Sequence, residues 1–153
     1  MSPKVFNLLD GDPGEPEGRE GRVYRRLSVR PWLEGELIGC SLYELPAGTR
    51  PWPYHYHDNN EEWLVVVSGT LTLRGPAGIR KLASGEVVGF PQGEAGTHDI
   101  SNRTDETVRA AIFSTLRQGS VVYPDSDKLG AGPPHDRRYF RRGDAVDYWE
   151  GED

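Results

Sequence analysis

The chain reads as an all-β domain, a sandwich or barrel of short antiparallel strands. Three observations point there. Turn formers are abundant, with 19 Gly and 12 Pro in 153 residues. Apolar runs of four to nine residues alternate with turn sequences from Arg22 onward. No stretch sustains the apolar period of about 3.6 residues that an amphipathic helix needs. Short strands at regular turn spacing are the pattern of a sandwich or barrel, and this much Gly and Pro argues against a helical bundle.

Residues 1–21 read as an N-terminal arm and flexible linker. From Gly11 to Gly21 there are four Gly, two Pro and four acidic residues and no large apolar side chain, which suits a solvated segment. Residues 22–118 read as the barrel. The expected strands lie at 23–29, 37–45, 63–68, 70–74, 79–82, 86–90, 99–102 and 108–116, separated by turn sequences such as Ser68-Gly69, Gly75-Pro76-Ala77-Gly78 and Pro91-Gln92-Gly93. The run Trp63 to Val67 is apolar at every position, the pattern of a strand covered on both faces. Residues 119–153 read as an irregular tail draped over the barrel by Tyr123, Tyr139, Phe140, Tyr148 and Trp149. A flexible extension is the other reading, against which stands the cost of leaving five aromatic rings in water.

Composition excludes several classes. The net charge is −6, a poor balance for gripping a phosphate backbone, so no nucleic-acid partner is expected. Arg137, Arg138, Arg141 and Arg142 cluster, but Asp136, Asp144 and Asp147 offset them and the group reads as a solvated face. Cys40 is the single cysteine, set in an apolar strand, and reads as a small buried hydrophobe rather than half of a disulfide. The first ten residues lack the pattern of a secretory signal and no run is long enough for a membrane span, so the expected location is cytoplasmic.

Three of the four histidines fall inside the expected barrel. His55 and His57 stand two apart, which on a strand puts both imidazoles on one face. After the polar turn Asp58-Asn59-Asn60 comes Glu61-Glu62, a carboxylate pair at the mouth of an apolar strand. Such a carboxylate needs a partner, and a cation is one. Two imidazoles and a carboxylate with open positions suit divalent first-row metals. A His-x-His pair is also common on solvated strands, and the spacing by itself leaves both readings open. His135, in a Gly-Pro-Pro-His-Asp loop, reads as solvent-facing.

Gly48, His55-Tyr56-His57, Glu62 and Gly69 resemble the first motif of the cupin superfamily, with six residues between Glu62 and Gly69. Gly85, Pro91-Gln92-Gly93, His98 and Asn102 resemble the second, with five residues between Gly85 and Pro91 and three between His98 and Asn102. Two loops are longer than the family pattern, one before His55 and one between Gly93 and His98. The wording of 53–67, 122–128 and 144–151 further resembles uncharacterised bacterial single-domain cupins. The resemblance implies a double-stranded β-helix, or jelly roll, with a metal held by His55, His57, Glu62 and His98. Family spacing to Gly69 selects Glu62 over Glu61, which then faces solvent. The implied cofactor is a divalent transition metal: Fe, Mn, Ni, Zn or Co. Tyr43, Gln92 and Asp99 are candidates for the pocket wall or for hydrogen bonds to the ligands.

Cupins host oxygenases, isomerases, lyases and non-catalytic binding domains, so the fold leaves the reaction open. The leading expectation is a metal-dependent enzyme (a dioxygenase, isomerase or lyase) acting on a small polar or oxygenated molecule. The alternative is a non-catalytic binder or sensor of a small ligand. If Glu62 faces inward, Trp63, Val65 and Val67 face outward, and that apolar stripe implies a homodimer.

Overall fold

Each of the eight runs expected as strands forms one in the computed structural model, which describes residues 2–152. The first strands are β1 (Pro16–Glu17), β2 (Tyr24–Ser28), β3 (Gly39–Leu45), β4 (Tyr56–His57) and β5 (Glu62–Ser68). Next come β6 (Thr70–Gly75), β7 (Gly78–Ala83), β8 (Val87–Phe90), β9 (Asp99–Ser101) and β10 (Val108–Ser114). The tail adds β11 (Val121–Tyr123), β12 (Lys128–Ala131) and β13 (Arg138–Arg141). They assemble as a six-stranded sheet β1-β2-β3-β10-β5-β8, a three-stranded sheet β7-β6-β9 and a four-stranded sheet β13-β12-β11-β4. All pairings are antiparallel, and the whole is a jelly roll. No helix among the described residues is long and apolar enough to cross a membrane.

The core lies between the six-stranded and three-stranded sheets. Leu45, Leu64, Val66, Leu71, Leu73, Leu82, Phe90, Ile100, Val108 and Ala110 are all buried there. Strand alternation accounts for this set: on β5, Leu64 and Val66 point in while Trp63 points out and is 54% exposed. Val65 and Val67, expected to be covered like the inward residues, are only half-buried, because nothing in a single chain fully covers the outer face of β5. The turn from β5 to β6 needs Gly69, whose φ is 86° and where a Cβ would come within 2.9 Å of Val108.

The outer face of β3 is covered by the N-terminal arm. Phe6 and Leu8 pack on Val29, Cys40 and Leu42. Arg109 holds the arm down by donating to the Leu8 and Leu9 carbonyls while pairing with Glu44. Cys40 is buried, which pushes its thiol up to about 11.

The C-terminal residues, expected as an irregular tail held on the barrel by five aromatics, contain three strands as well as loops, and Tyr139, Phe140, Tyr148 and Trp149 stand exposed rather than packed on the barrel. Val121 and Val122 of β11 are buried and pair with His57 and Tyr56 of β4. Strand β4 is only two residues long, and its backbone polar groups need partners; the tail supplies them.

Candidate metal centre

His55 and His98 lie in different motifs, yet their backbones form an isolated antiparallel bridge. The His55 N–H donates to the His98 carbonyl at 3.0 Å and the His98 N–H returns the bond at 2.9 Å. Each imidazole is then oriented by the carbonyl two residues earlier. Nδ1 of His55 is 2.8 Å from the Pro53 oxygen, and Nδ1 of His98 is 2.8 Å from the Gly96 oxygen. A carbonyl can only accept, so both Nδ1 atoms carry the hydrogen and both Nε2 atoms keep a free lone pair. Gly96 is required by close approach, since a Cβ there would stand 1.8 Å from the Pro91 carbonyl oxygen. The longer spacing between Gly93 and His98 is taken up by one 3-10 turn, Glu94–Gly96, and the Gly93 N–H donates to the His57 carbonyl at 2.9 Å. The long loop therefore keeps the second motif pinned to the first.

Glu62 opens β5 and points inward, while Glu61 is exposed and accepts a bond from the Trp63 indole at 2.8 Å. Glu62 Oε2 lies 3.3 Å from His57 Nε2 and 3.8 Å from His98 Nε2. One donor atom each from His55, Glu62 and His98 falls within 4.8 Å of the others. Ligand atoms about 2.1 Å from a metal and at right angles to each other stand roughly 3 Å apart, so the two contacts of Glu62 are at and just above the spacing of neighbouring ligands. Asn60 supports the carboxylate through a long 3.4 Å bond to Oε1, its own oxygen being held by the Thr115 hydroxyl at 2.9 Å.

The electrostatics agree with a ligating state. Burial, and secondarily the neighbouring His57, pull His55 below the ordinary histidine range. Burial, and secondarily His55, lower His98 to about 4. Both are neutral at pH 7, the form that binds metal. Burial alone would raise Glu62, but the His57 hydrogen bond, joined by the charge the imidazoles carry when protonated at low pH, outweighs it and holds the carboxyl low. Phe90 stacks on the His98 ring at 3.6 Å between centroids, and Tyr123 of β11 lies against His55 at 6.0 Å.

Beside this cluster is a cavity of about 550 Å³ whose wall includes His57 and Glu62. The other candidates fall in different places. Tyr43 is half-buried, edge-on to Trp52 at 4.9 Å; burial raises its phenol, and Glu62 is among the charges it senses. Asp99 is buried but committed to an ion pair with Arg50 at 2.7 Å. Gln92 stands exposed and outside the cavity wall, because the 91–93 loop turns outward before the Glu94–Gly96 turn. His135 is exposed. Of the arginine cluster, Arg138, Arg141 and Arg142 are exposed as expected, while Arg137 turns inward and lines the cavity. Sequence reasoning missed Asn60, Phe90 and Tyr123. Asn60 carried a signal, sitting two residues before Glu62 in a polar turn; the two aromatics meet the histidines only through the fold.

Residues 41–114 match the family model described as Cupin domain. No curated protein matches the sequence. Among solved structures, the chain is similar to a candidate sugar phosphate isomerase from Acidithiobacillus ferrooxidans, with 27% identity, 90% of each chain covered and a TM-score of 0.80. It is also similar to a sugar phosphate isomerase of the cupin superfamily from Silicibacter pomeroyi, with 25% identity, 82% of this chain and 80% of that one covered and a TM-score of 0.72. A double-stranded β-helix protein from Klebsiella pneumoniae, at 17% identity over 77% of this chain and 94% of that one, shares the fold with a TM-score of 0.56. The motif residues, the jelly roll and these similarities together identify residues 41–114 as a cupin domain.

Proposed function

We propose that His55, His57, Glu62 and His98 hold one divalent first-row metal ion, and that the chain is an enzyme isomerising a small polyhydroxylated carbonyl compound in the adjoining cavity. The observation that carries this reading is the convergence of His55, Glu62 and His98, with His57 3.3 Å from Glu62 and both of these lining the cavity. The two similar proteins named as a sugar phosphate isomerase and a candidate for one supply the reaction class. Such an isomerisation moves hydrogens between neighbouring carbons and needs no external oxidant or reductant. A bound divalent metal supplies Lewis-acid polarisation of a carbonyl or hydroxyl oxygen. The protein's own part is to present the ligands and bind substrate. The Pro53 and Gly96 carbonyls fix the two imidazoles, Asn60 steadies Glu62, and Ser28, Ser41, Asn59 and Ser114 offer hydroxyl and amide partners in the wall.

Elemental analysis of purified protein tests the site. His57→Ala and Glu62→Ala are expected to lose most of the metal that wild type carries, while Glu61→Ala and His135→Ala keep it. Wild type is then assayed against a panel of aldose and ketose phosphates, with turnover abolished by chelation and restored by metal. Equal metal content in wild type, His57→Ala and Glu62→Ala would overturn the ligand assignment. Metal-dependent binding of panel members without turnover would make the chain a binder instead.

The uncovered outer face of β5 supports a homodimer. Trp63, Val87 and Ile38 are exposed there, and a largely apolar groove of about 340 Å³ runs between Ile38, Trp63 and Phe113.

A further inference from the structure

We propose that Arg26, Arg30, Arg117 and Arg137 form an oxyanion subsite in the cavity wall, which holds a phosphate or carboxylate group of the substrate. The proposal rests on reading this cavity as the substrate pocket. Arg26 belongs to β2, Arg30 follows it, Arg117 follows β10, and Arg137 immediately precedes β13, so distant parts of the chain bring four guanidinium groups to one cavity. The chain as a whole is acidic, with a net charge of −6. The wall is not: its lining has four arginines and only two carboxylates, Glu36 and Glu62.

Five arginines elsewhere are used structurally. Arg25 and Arg109 pair with Glu44, Arg50 with Asp99, Arg74 with Asp125 and Arg80 with Glu86. None of the ion pairs among the described residues involves the four arginines of the cavity wall. Arg26 donates only to the Ser41 hydroxyl, at 3.1 and 3.2 Å. Arg137 is the most telling. Its Nε is buried with no acceptor among the described residues, a costly state for a charged donor. Its stem lies over Gly130, where a Cβ would come within 2.9 Å of Arg137 Cδ, so the absence of a side chain at 130 makes room for it. A guanidinium held this way, near others without carboxylate partners, suits planar or tetrahedral oxyanions, which accept several charge-assisted hydrogen bonds at once. The C-terminal sheet thus contributes to binding as well as to covering the barrel.

Calorimetric titration of the full chain with inorganic phosphate, and separately with acetate, tests the subsite. Both the metal-loaded and the chelator-treated protein are used, because a metal ion can itself bind phosphate. Arg117→Gln and Arg137→Gln are each expected to weaken phosphate binding about tenfold, the loss of a charge-assisted bond. Metal content and melting temperature should stay at the wild-type values, and Arg138→Gln, an exposed neighbour outside the wall, should bind as wild type does. Arg117 is itself exposed, so that variant is informative even if Arg137→Gln folds poorly. If acetate rather than phosphate shows the arginine dependence, the subsite stands and its ligand group is a carboxylate. Equal binding of both anions by wild type and both variants would overturn the subsite. Arginine-dependent binding in a protein that takes up no metal would keep the subsite and sink the metal reading instead.

Discussion

Asn102, the last residue of the second motif, is fully buried and makes four side-chain contacts. Its amide donates to the carbonyls of Leu45 and Glu106, at 2.8 and 2.6 Å. Its oxygen accepts from the Thr104 backbone and hydroxyl, at 3.0 and 2.7 Å. It ties the end of β9 to the end of β3. Asn102→Ala leaves the buried Leu45 carbonyl without this donor, and the expected cost is about 2–4 kcal/mol. Thermal melting should show the midpoint falling by about 5–15 °C; a change within about 2 °C would show that water replaces the amide. At this scale, which of Glu61 and Glu62 points inward was legible, because strand parity and the spacing to Gly69 agree. Gln92 was misread because adjacency to a motif glycine says nothing about which way a loop faces.

Strand β4 carries His57 and is braced by β11, whose Val121 pairs with it. Val121 is 1% exposed. Val121→Asp places a carboxylate in that apolar environment and is expected to cost about 3 kcal/mol or more. It should also weaken metal uptake, since His57 loses the strand that fixes its backbone. Thermal melts and metal titrations check both effects; unchanged uptake in a folded variant would show that β4 holds His57 without help. The longer strands of the barrel were legible because their apolar runs are bounded by Gly and Pro turns, whereas the two-residue β1 and β4 were not among the expected strands. The tail strands were not legible either, because β12 is a short Lys-Leu-Gly-Ala segment and β13 sets two aromatics between arginines, and both gain their stability from pairing with β11 and one another.

At the level of the whole molecule, the outer face of the six-stranded sheet is divided. The N-terminal arm covers β3, while β5 and β8 keep Trp63 and Val87 exposed. A homodimer through this face predicts a light-scattering mass twice that of the chain at micromolar concentration, with Trp63→Glu shifting it to the monomer. A monomeric wild type would leave the face without a partner. The parity that turns Trp63 outward was readable from the order of residues, as were the ligand candidates and the jelly roll, since alternation, turn residues and motif spacing are local. What only the tertiary structure decided is non-local: that His55 and His98 share a backbone bridge, that the tail pairs with the strand carrying His57, and that Arg26, Arg30, Arg117 and Arg137 meet at one cavity. Arg137 stands in the sequence among acids that offset it. The folded chain brings its guanidinium into the cavity wall instead, because register places its stem on Gly130, and register is set by strand pairing rather than by neighbours in the chain.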